Sequence, residues 1–201
     1  MTTGASLREM VRVRAQLRSL SDVRRYLGRS GRSAVEVLAG VRGPQASGAT
    51  PEEVREAIAE VERWYPLVLL DCAAGWDHPV TAAATRSADA LILVSRATAA
   101  DLVAAEEALA ALAACGRARL AATTLAAVVH TSRGGPQSQV RPQLARLAGR
   151  ARAVVQIPYD PGLAAGRPIT YARLRRRTRT GFLRLGVALV EQLAQDEGTN
   201  R

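Results

Sequence analysis

Short apolar runs alternate with longer amphipathic stretches along most of the chain. The apolar runs predict five strands, at residues 35–39, 67–70, 91–94, 125–129 and 153–157. Stretches with apolar residues every three or four positions predict helices at 5–20, 22–27, 51–64, 79–87, 99–115, 139–149 and 171–195. Short strands that alternate with helices are typical of βαβ units. We therefore predict an α/β fold with a mainly parallel, doubly wound sheet of about five strands flanked by helices.

Local signals mark several ends of these elements. Thr50, Pro51 and Glu53 form the pattern of a capping box with proline at the first helical position. Ser21 is the predicted N-cap of the second helix, and Gly28 its stop. Thr98 is in the N-cap position of the helix after the third strand. No repeat or linker divides the sequence, so we predict a single domain over residues 1–201 with a frayed tail at 196–201.

Composition narrows the chemistry that this fold can carry. Aromatic residues make up only 3% of the chain, so the core must be aliphatic. The net charge is +10, and all 28 basic residues are arginine. Without lysine, the chain has no group for a Schiff base and no lysine for a phosphate-binding loop.

Arginines crowd the segment that begins the last predicted helix. They are Arg173, Arg175, Arg176, Arg177 and Arg179. Such a cluster can contact DNA without sequence preference, or it can be an ordinary solvated face. The scarcity of aromatic side chains argues against a single-strand binder, because base-stacking platforms are missing. Phe182, Leu183 and the apolar residues after them predict that this helix packs on the sheet.

Cysteine usage and hydropathy indicate a cytoplasmic protein. Cys72 and Cys115 form no CxxC or Cys–His pattern, which argues against a structural zinc site and a disulfide framework. The first residues contain no long apolar signal segment. No apolar run reaches about 18 residues, the length that a spanning helix needs. The last predicted helix carries acidic residues near its end, so we expect no membrane anchor there.

The strongest chemical signal is the run LVLLDCAAG at residues 67–75. Asp71 follows directly after a predicted buried strand, and ligands of open parallel sheets lie at the carboxyl ends of strands. A carboxylate in this position is the Walker B arrangement, which holds Mg²⁺. The small residues up to Gly75 let the backbone approach a phosphate closely. Alternatively, Asp71 caps the following loop or helix.

Five segments of the sequence, in the order expected, resemble motifs of the MinD/ParA-like deviant P-loop ATPases. RWYPLVLLDCAAG (63–75) resembles YDxVIIDxPPG, and residues 87–112 resemble the family's next strand and helix. LAAVVHTSRG (125–134) resembles xxxVVNRxxx, and AVVQIPYDPGLAAGRPI (153–169) resembles xxxIPxDxxLxxAxxxGxPI. Residues 19–47 resemble the segment before Walker B in the actinobacterial MinD-like branch, some members of which belong to type VII secretion systems.

The resemblance implies an ATP and Mg²⁺ site and a role in positioning, chromosome partitioning or secretion. It assigns the metal to Asp71 and the nucleotide to Gly75, His130, Pro158 and Asp160. His130 occupies the position at which the family has a base-contacting Asn. It is equally well interpreted as a partly exposed histidine at a strand end.

The departures from the family pattern concern its phosphate-binding loop. The sequence contains no KGGxGKTT loop and no lysine, so we predict that the chain does not hydrolyse ATP alone. Three hypotheses follow: a degenerate regulatory module, a fragment of an active ATPase whose P-loop lies upstream, and an arginine-rich nucleic-acid-binding module. Asp77 and His78 follow the Walker B segment, and we predict that Asp77 caps a helix rather than acting in catalysis.

The missing P-loop strand has a structural consequence. In the resembled family that strand lies beside the Walker B strand, so residues 67–71 are expected to have an unpaired edge. An unpaired strand edge is a template for pairing with another chain. We therefore expect dependence on a protein partner or self-association.

Overall fold

The computed structural model describes residues 5–29, 35–40, 48–73, 75, 78–133, 138–166 and 168–199, the last four of these through their backbone only. The chain divides into two compact units, Met1–Ala88 and Asp89–Arg201, here called the N-terminal and C-terminal units. Each has its own apolar core, built mainly from Leu, Val, Met and Ala.

The N-terminal unit is mainly helical. Its elements are α1 (Leu7–Val13), a 3₁₀ turn (Arg14–Gln16), α2 (Leu20–Arg24), β1 (Gly28–Arg29), β2 (Glu36–Val37), α3 (Pro51–Glu62) and α4 (Pro79–Ser87). Helix α3 packs against α1 and α4. The predicted capping box of Thr50 and Glu53 is confirmed, with the Thr50 side chain accepting from the Glu53 backbone N–H.

The first two predicted helices have different bounds from those expected. The helix predicted over 5–20 ends at Val13 and continues only as the 3₁₀ turn. Ser19, rather than Ser21, caps α2, because Ser19 and Asp22 form a reciprocal capping box. Gly28 begins the short strand β1 instead of ending a helix. The predicted strand at 35–39 is reduced to β2, which pairs antiparallel with β1.

Glu36 on β2 is the centre of a polar network in this unit. Its carboxylate accepts a hydrogen bond from the Tyr65 hydroxyl and forms ion pairs with Arg24 and Arg29. The Tyr65 hydrogen bond, helped by the two guanidinium groups, lowers the pKa of Glu36. The network joins the small antiparallel sheet to the chain that follows α3.

The strand predicted at 67–70 does not form. These residues belong to no helix or strand, and the side chains of Leu67, Leu69 and Leu70 are exposed. An apolar run becomes a strand only when neighbouring strands take up its backbone N–H and C=O groups. No ladder partner for residues 67–70 exists among the residues that the structure describes. The prediction of a buried Walker B strand is therefore wrong for this structure.

The C-terminal unit has the βαβ character that the sequence predicts. Its elements are β3 (Ile92–Arg96), α5 (Ala99–Leu112), α6 (Ala118–Ala122), β4 (Leu125–Val129), α7 (Val140–Ala148), β5 (Ala153–Ile157), α8 (Pro161–Ala164) and α9 (Arg176–Thr199). The strands form a parallel sheet in the order β3-β4-β5. The α/β class is confirmed. The sheet has three parallel strands, however, so the predicted single doubly wound sheet of five is wrong.

The core of this unit lies between the sheet and two helices. Leu102 and Leu109 of α5 and Val140 and Leu147 of α7 pack against the central strand β4. Thr98 caps α5 as predicted, by accepting from the Asp101 backbone N–H. Gly116, at φ +78°, turns the chain between α5 and the unpredicted helix α6.

Helix α9 differs from its prediction at both ends. It starts at Arg176, because the chain from Tyr171 to Arg173 forms a 3₁₀ turn and Leu174 is extended. It continues to Thr199, so the expected frayed tail at 196–201 is helical over residues 196–199. Phe182 is half-buried, in keeping with packing on the sheet, whereas Leu183 is exposed. One face of the helix therefore covers β5, and a second apolar face is left in solvent.

Candidate functional site

Two parallel strands end side by side at the carboxyl edge of the three-stranded sheet. His130 follows β4, and Pro158 follows β5. The backbone N–H of His130 donates to the Ile157 carbonyl at 2.9 Å, which extends the β4–β5 ladder by one step. Because the strands are parallel and in register, both residues come to the edge at which open α/β sheets bind ligands.

His130 has a defined side-chain partner at this edge. Its Nε2 atom lies 3.0 Å from Oε1 of Gln156, the penultimate residue of β5. An amide oxygen only accepts hydrogen bonds, so this contact favours a proton on Nε2 and leaves Nδ1 as an acceptor in the neutral ring. His130 is half-buried and Gln156 is exposed. The pair thus forms a polar floor open to solvent on one side.

The first turns of α9 form the opposite wall and close a pocket of about 490 Å³. Its lining residues are His130, Gln156, Pro158, Arg176, Arg177, Thr180, Gly181 and Arg184. Arg177, Gly181 and Arg184 are spaced four and three residues apart, so they share one face of the helix. The pocket is therefore made by two strand ends and one helix face of the same unit.

Gly181 allows α9 to lie close to the end of β5. A Cβ atom at this position would lie 3.3 Å from the Gln156 carbonyl oxygen and 3.0 Å from Cδ1 of Ile157. A larger residue would push the helix away from the strand. Gly181 therefore positions the arginines of α9 over His130 and Gln156.

The pocket is positively charged. Arg176, Arg177 and Arg184 are exposed, and no carboxylate forms an ion pair with them among the described residues. Guanidinium groups offer paired N–H donors that match phosphate and carboxylate oxygens. The chemistry of the lining thus suits an anion and does not suit a metal ion.

Asp160 lies behind the pocket rather than in its lining. One carboxylate oxygen accepts from the Gly162 N–H at 2.8 Å, and the other accepts from the Arg175 N–H at 2.8 Å. The hydrogen bond from Arg175, with that from Gly162, holds the pKa of Asp160 below its usual range. Asp160 caps α8 and fixes the chain just before α9. Both carboxylate oxygens therefore already accept backbone hydrogen bonds. The nucleotide contact predicted for Asp160 is not tested by this geometry and stays a prediction.

The remaining predicted site residues lie in the N-terminal unit. Asp71 is exposed, and Gly75 has a φ of +99°, a backbone conformation that suits glycine. The described residues contain no group of three or more His, Cys, Asp or Glu side chains that could hold a metal ion. The magnesium role of Asp71 stays a prediction. Asp77 lies outside the described residues, and His78 precedes α4 without a side-chain cap.

Sequence reasoning missed four residues of the pocket: Gln156, Thr180, Gly181 and Arg184. A signal existed for two of them. Arg184 is one helical repeat beyond Arg177, and a glycine inside a helix costs about 1 kcal/mol, which often signals close packing. Gln156 is the single polar residue of its strand, but nothing local shows that it would meet His130.

The C-terminal unit is thus an open parallel α/β unit with an anion-type pocket at its carboxyl edge. Comparison with protein-family models, curated proteins and solved structures finds no match for the chain. In the described part of the chain, no helix is both long and apolar enough to cross a bilayer.

Proposed function

We propose that this chain is a MinD/ParA-like binding module that serves in positioning, partitioning or secretion and does not hydrolyse ATP by itself. The observation that carries the proposal is the polar pocket at the carboxyl ends of β4 and β5. His130 and Pro158 are two of the positions to which the resemblance assigns the nucleotide, and both line this pocket. The proposed ligand is a phosphate-bearing molecule, because the α9 wall carries three guanidinium groups.

Weak binding without turnover is the expected behaviour. The sequence has no lysine, and it lacks the Gly-rich loop whose backbone N–H groups would cradle the phosphates. Arginines on α9 attract an anion, but they are exposed, so water and salt ions compete with the anion for their guanidinium groups. The pocket therefore supports recognition of an anion and supplies no means of cleaving it.

An NMR titration of the isotopically labelled chain with ATP and Mg²⁺ tests this proposal. We expect changes in the backbone chemical shifts of His130, Gln156 and Gly181. We also expect a dissociation constant weaker than about 1 mM, which corresponds to a binding free energy no stronger than about −4 kcal/mol. Parallel titrations with adenosine and with tripolyphosphate separate recognition of the base from recognition of the charge. Phosphate release by the purified chain, or a micromolar dissociation constant, would contradict the proposal.

A pair of arginine variants gives the matched control. Arg184→Gln removes one charge from the pocket, whereas Arg141→Gln removes the same charge from an exposed position on α7 that does not line the pocket. Arg184→Gln should reduce the chemical-shift changes caused by tripolyphosphate severalfold. Arg141→Gln should leave those chemical-shift changes nearly as they are in the wild type. Equal effects would mean that net charge, and not the pocket, attracts the anion.

Non-specific DNA binding is a second candidate function. It is favoured by the unpaired arginines at the start of α9, of which Arg176 and Arg177 are exposed. Replacing Arg175, Arg176 and Arg177 with Gln should lower the slope of log K against log salt by up to about three units, near 0.9 per lost phosphate contact. Replacing the exposed Arg12, Arg18 and Arg141 serves as the charge-matched control. An unchanged slope in the first variant would leave the cluster as a solvated face.

A further inference from the structure

Helix α9 carries an apolar stripe on the face turned away from the sheet. Leu183, Val187 and Val190 are 62%, 56% and 65% exposed, and Ala194 continues the row. Their spacings of four, three and four residues keep them within an arc of about 60° on a helix of 3.6 residues per turn. This is the spacing of a coiled-coil seam, which needs a second helix to cover it.

The stripe also lines a shallow apolar groove of about 690 Å³. Phe182 and Gly186 lie on one flank of the stripe, and Tyr171 of the preceding 3₁₀ turn contributes to the same groove. Gly186 has no atom within 4 Å of the place where its Cβ would be, so a helix could approach closely there. A groove lined mainly by apolar side chains, with Glu191 also in its lining, suits the side-chain row of another helix.

Two charged residues lie on the opposite flank of the stripe. Arg184 and Glu191 are seven residues apart, so they occupy equivalent positions two turns apart on that flank. Both are exposed, and neither forms an ion pair among the residues described. The flank is positive toward the helix start and negative toward its end.

We propose that α9 pairs with α9 of a second copy of this chain, in an antiparallel, two-fold symmetric dimer. An isologous interface must be self-complementary, so that each contact occurs twice. In the antiparallel arrangement Leu183 faces Ala194 of the second copy and Val187 faces Val190. The same register brings Arg184 opposite Glu191 of the second copy, once on each side of the axis.

A parallel pair lacks this charge complementarity. In that arrangement the flank with Arg184 and Glu191 meets the opposite flank of the partner, so Arg184 lies near the like charge of Arg179 and Glu191 lies near Gly186. Neither charge then finds a partner. The arrangement of one positive and one negative residue on a single flank therefore selects the antiparallel pair, and it makes the second copy the matching occupant.

Sedimentation equilibrium over a range of protein concentrations tests the proposal. We expect the average mass to rise from the 21.4 kDa of one chain toward twice that value. Val187→Glu should raise the dimer dissociation constant at least about tenfold, because two unpaired carboxylates would be buried against the stripe. Thermal unfolding of the variant checks that the fold is intact. A chain that stays monomeric, or a dimer indifferent to this change, would overturn the proposal.

Charge exchange tests the antiparallel register without altering the apolar stripe. Arg184→Glu alone, or Glu191→Arg alone, places like charges opposite each other and should weaken the dimer severalfold at low salt. An equimolar mixture of the two variants should recover the dimer, since every pair in the heterodimer is then of opposite sign. The double variant within one chain should also recover it. Failure of both recoveries would overturn the register, even if some dimer remains.

Discussion

Two apolar runs of similar composition have different structures in this molecule. Residues 67–70 (LVLL) form no ladder and their three leucines are exposed, whereas Leu125–Val129 (LAAVV) forms the buried central strand β4. Hydrophobicity does not separate them, because 67–70 is at least as apolar as β4. The difference is that β4 has a parallel neighbour on each side and helices α5 and α7 over its side chains. A strand is therefore a property of its neighbours as much as of its own residues.

The largest expected difference between the two runs is in amide hydrogen exchange. Amides in β4 should exchange only through global opening, at a cost of about 5 kcal/mol or more, whereas those of residues 67–70 should be close to unprotected. Exchange measured by NMR on the same sample gives both values. Strong protection at 67–70 would show that another strand pairs with this segment in solution.

Matched leucine truncations sharpen the same comparison. Leu125→Ala removes a fully buried side chain and should lower the free energy of unfolding by about 2–5 kcal/mol. Leu69→Ala removes a side chain that is 71% exposed and should change it by no more than about 0.5 kcal/mol. Chemical denaturation followed by circular dichroism measures both. If Leu69→Ala is as damaging as Leu125→Ala, residues 67–70 are buried in solution.

The two interior glycines of α9 repeat the contrast within one helix. Gly186→Ala should stabilise the chain by up to about 1 kcal/mol, because alanine favours helix and the position is open. Gly181→Ala should instead destabilise it by about 1–3 kcal/mol, because the added methyl meets the β5 backbone. Thermal unfolding at low protein concentration compares the two variants without a contribution from association. Stabilisation by both changes would mean that α9 does not lie against β5.

The smallest effect is a pH dependence that belongs to the C-terminal unit. The folded chain lowers the pKa of Asp160, so its contribution to stability is present above the unfolded value of about 3.9 and is lost as the pH falls through the folded value. Asp160→Asn cannot titrate. The difference in urea midpoint between wild type and variant should therefore be constant near neutral pH and shrink in acid. A difference that persists unchanged at the lowest pH would assign the effect to packing instead of charge.

The sequence alone determined those features that depend on neighbours in the chain. Three such features were predictable because their hydrogen bonds span only a few residues. They are helix α4, the capping box of Thr50 and Glu53 on α3, and the N-cap of Thr98 on α5. The strands β3, β4 and β5 were also predictable, since each is a short apolar run between stretches with a helical pattern in the sequence.

Tertiary structure decided everything that depends on distant residues. It placed Gln156 beside His130, brought Arg184 over the same pocket, and used Asp160 to fix the start of α9. It also left residues 67–70 without a ladder and exposed Leu183, although both patterns predicted burial. The physical reason is the same in each case. A run of side chains specifies which surface should be buried, but only the folded chain supplies the hydrogen-bond partners and the opposing surface that bury it.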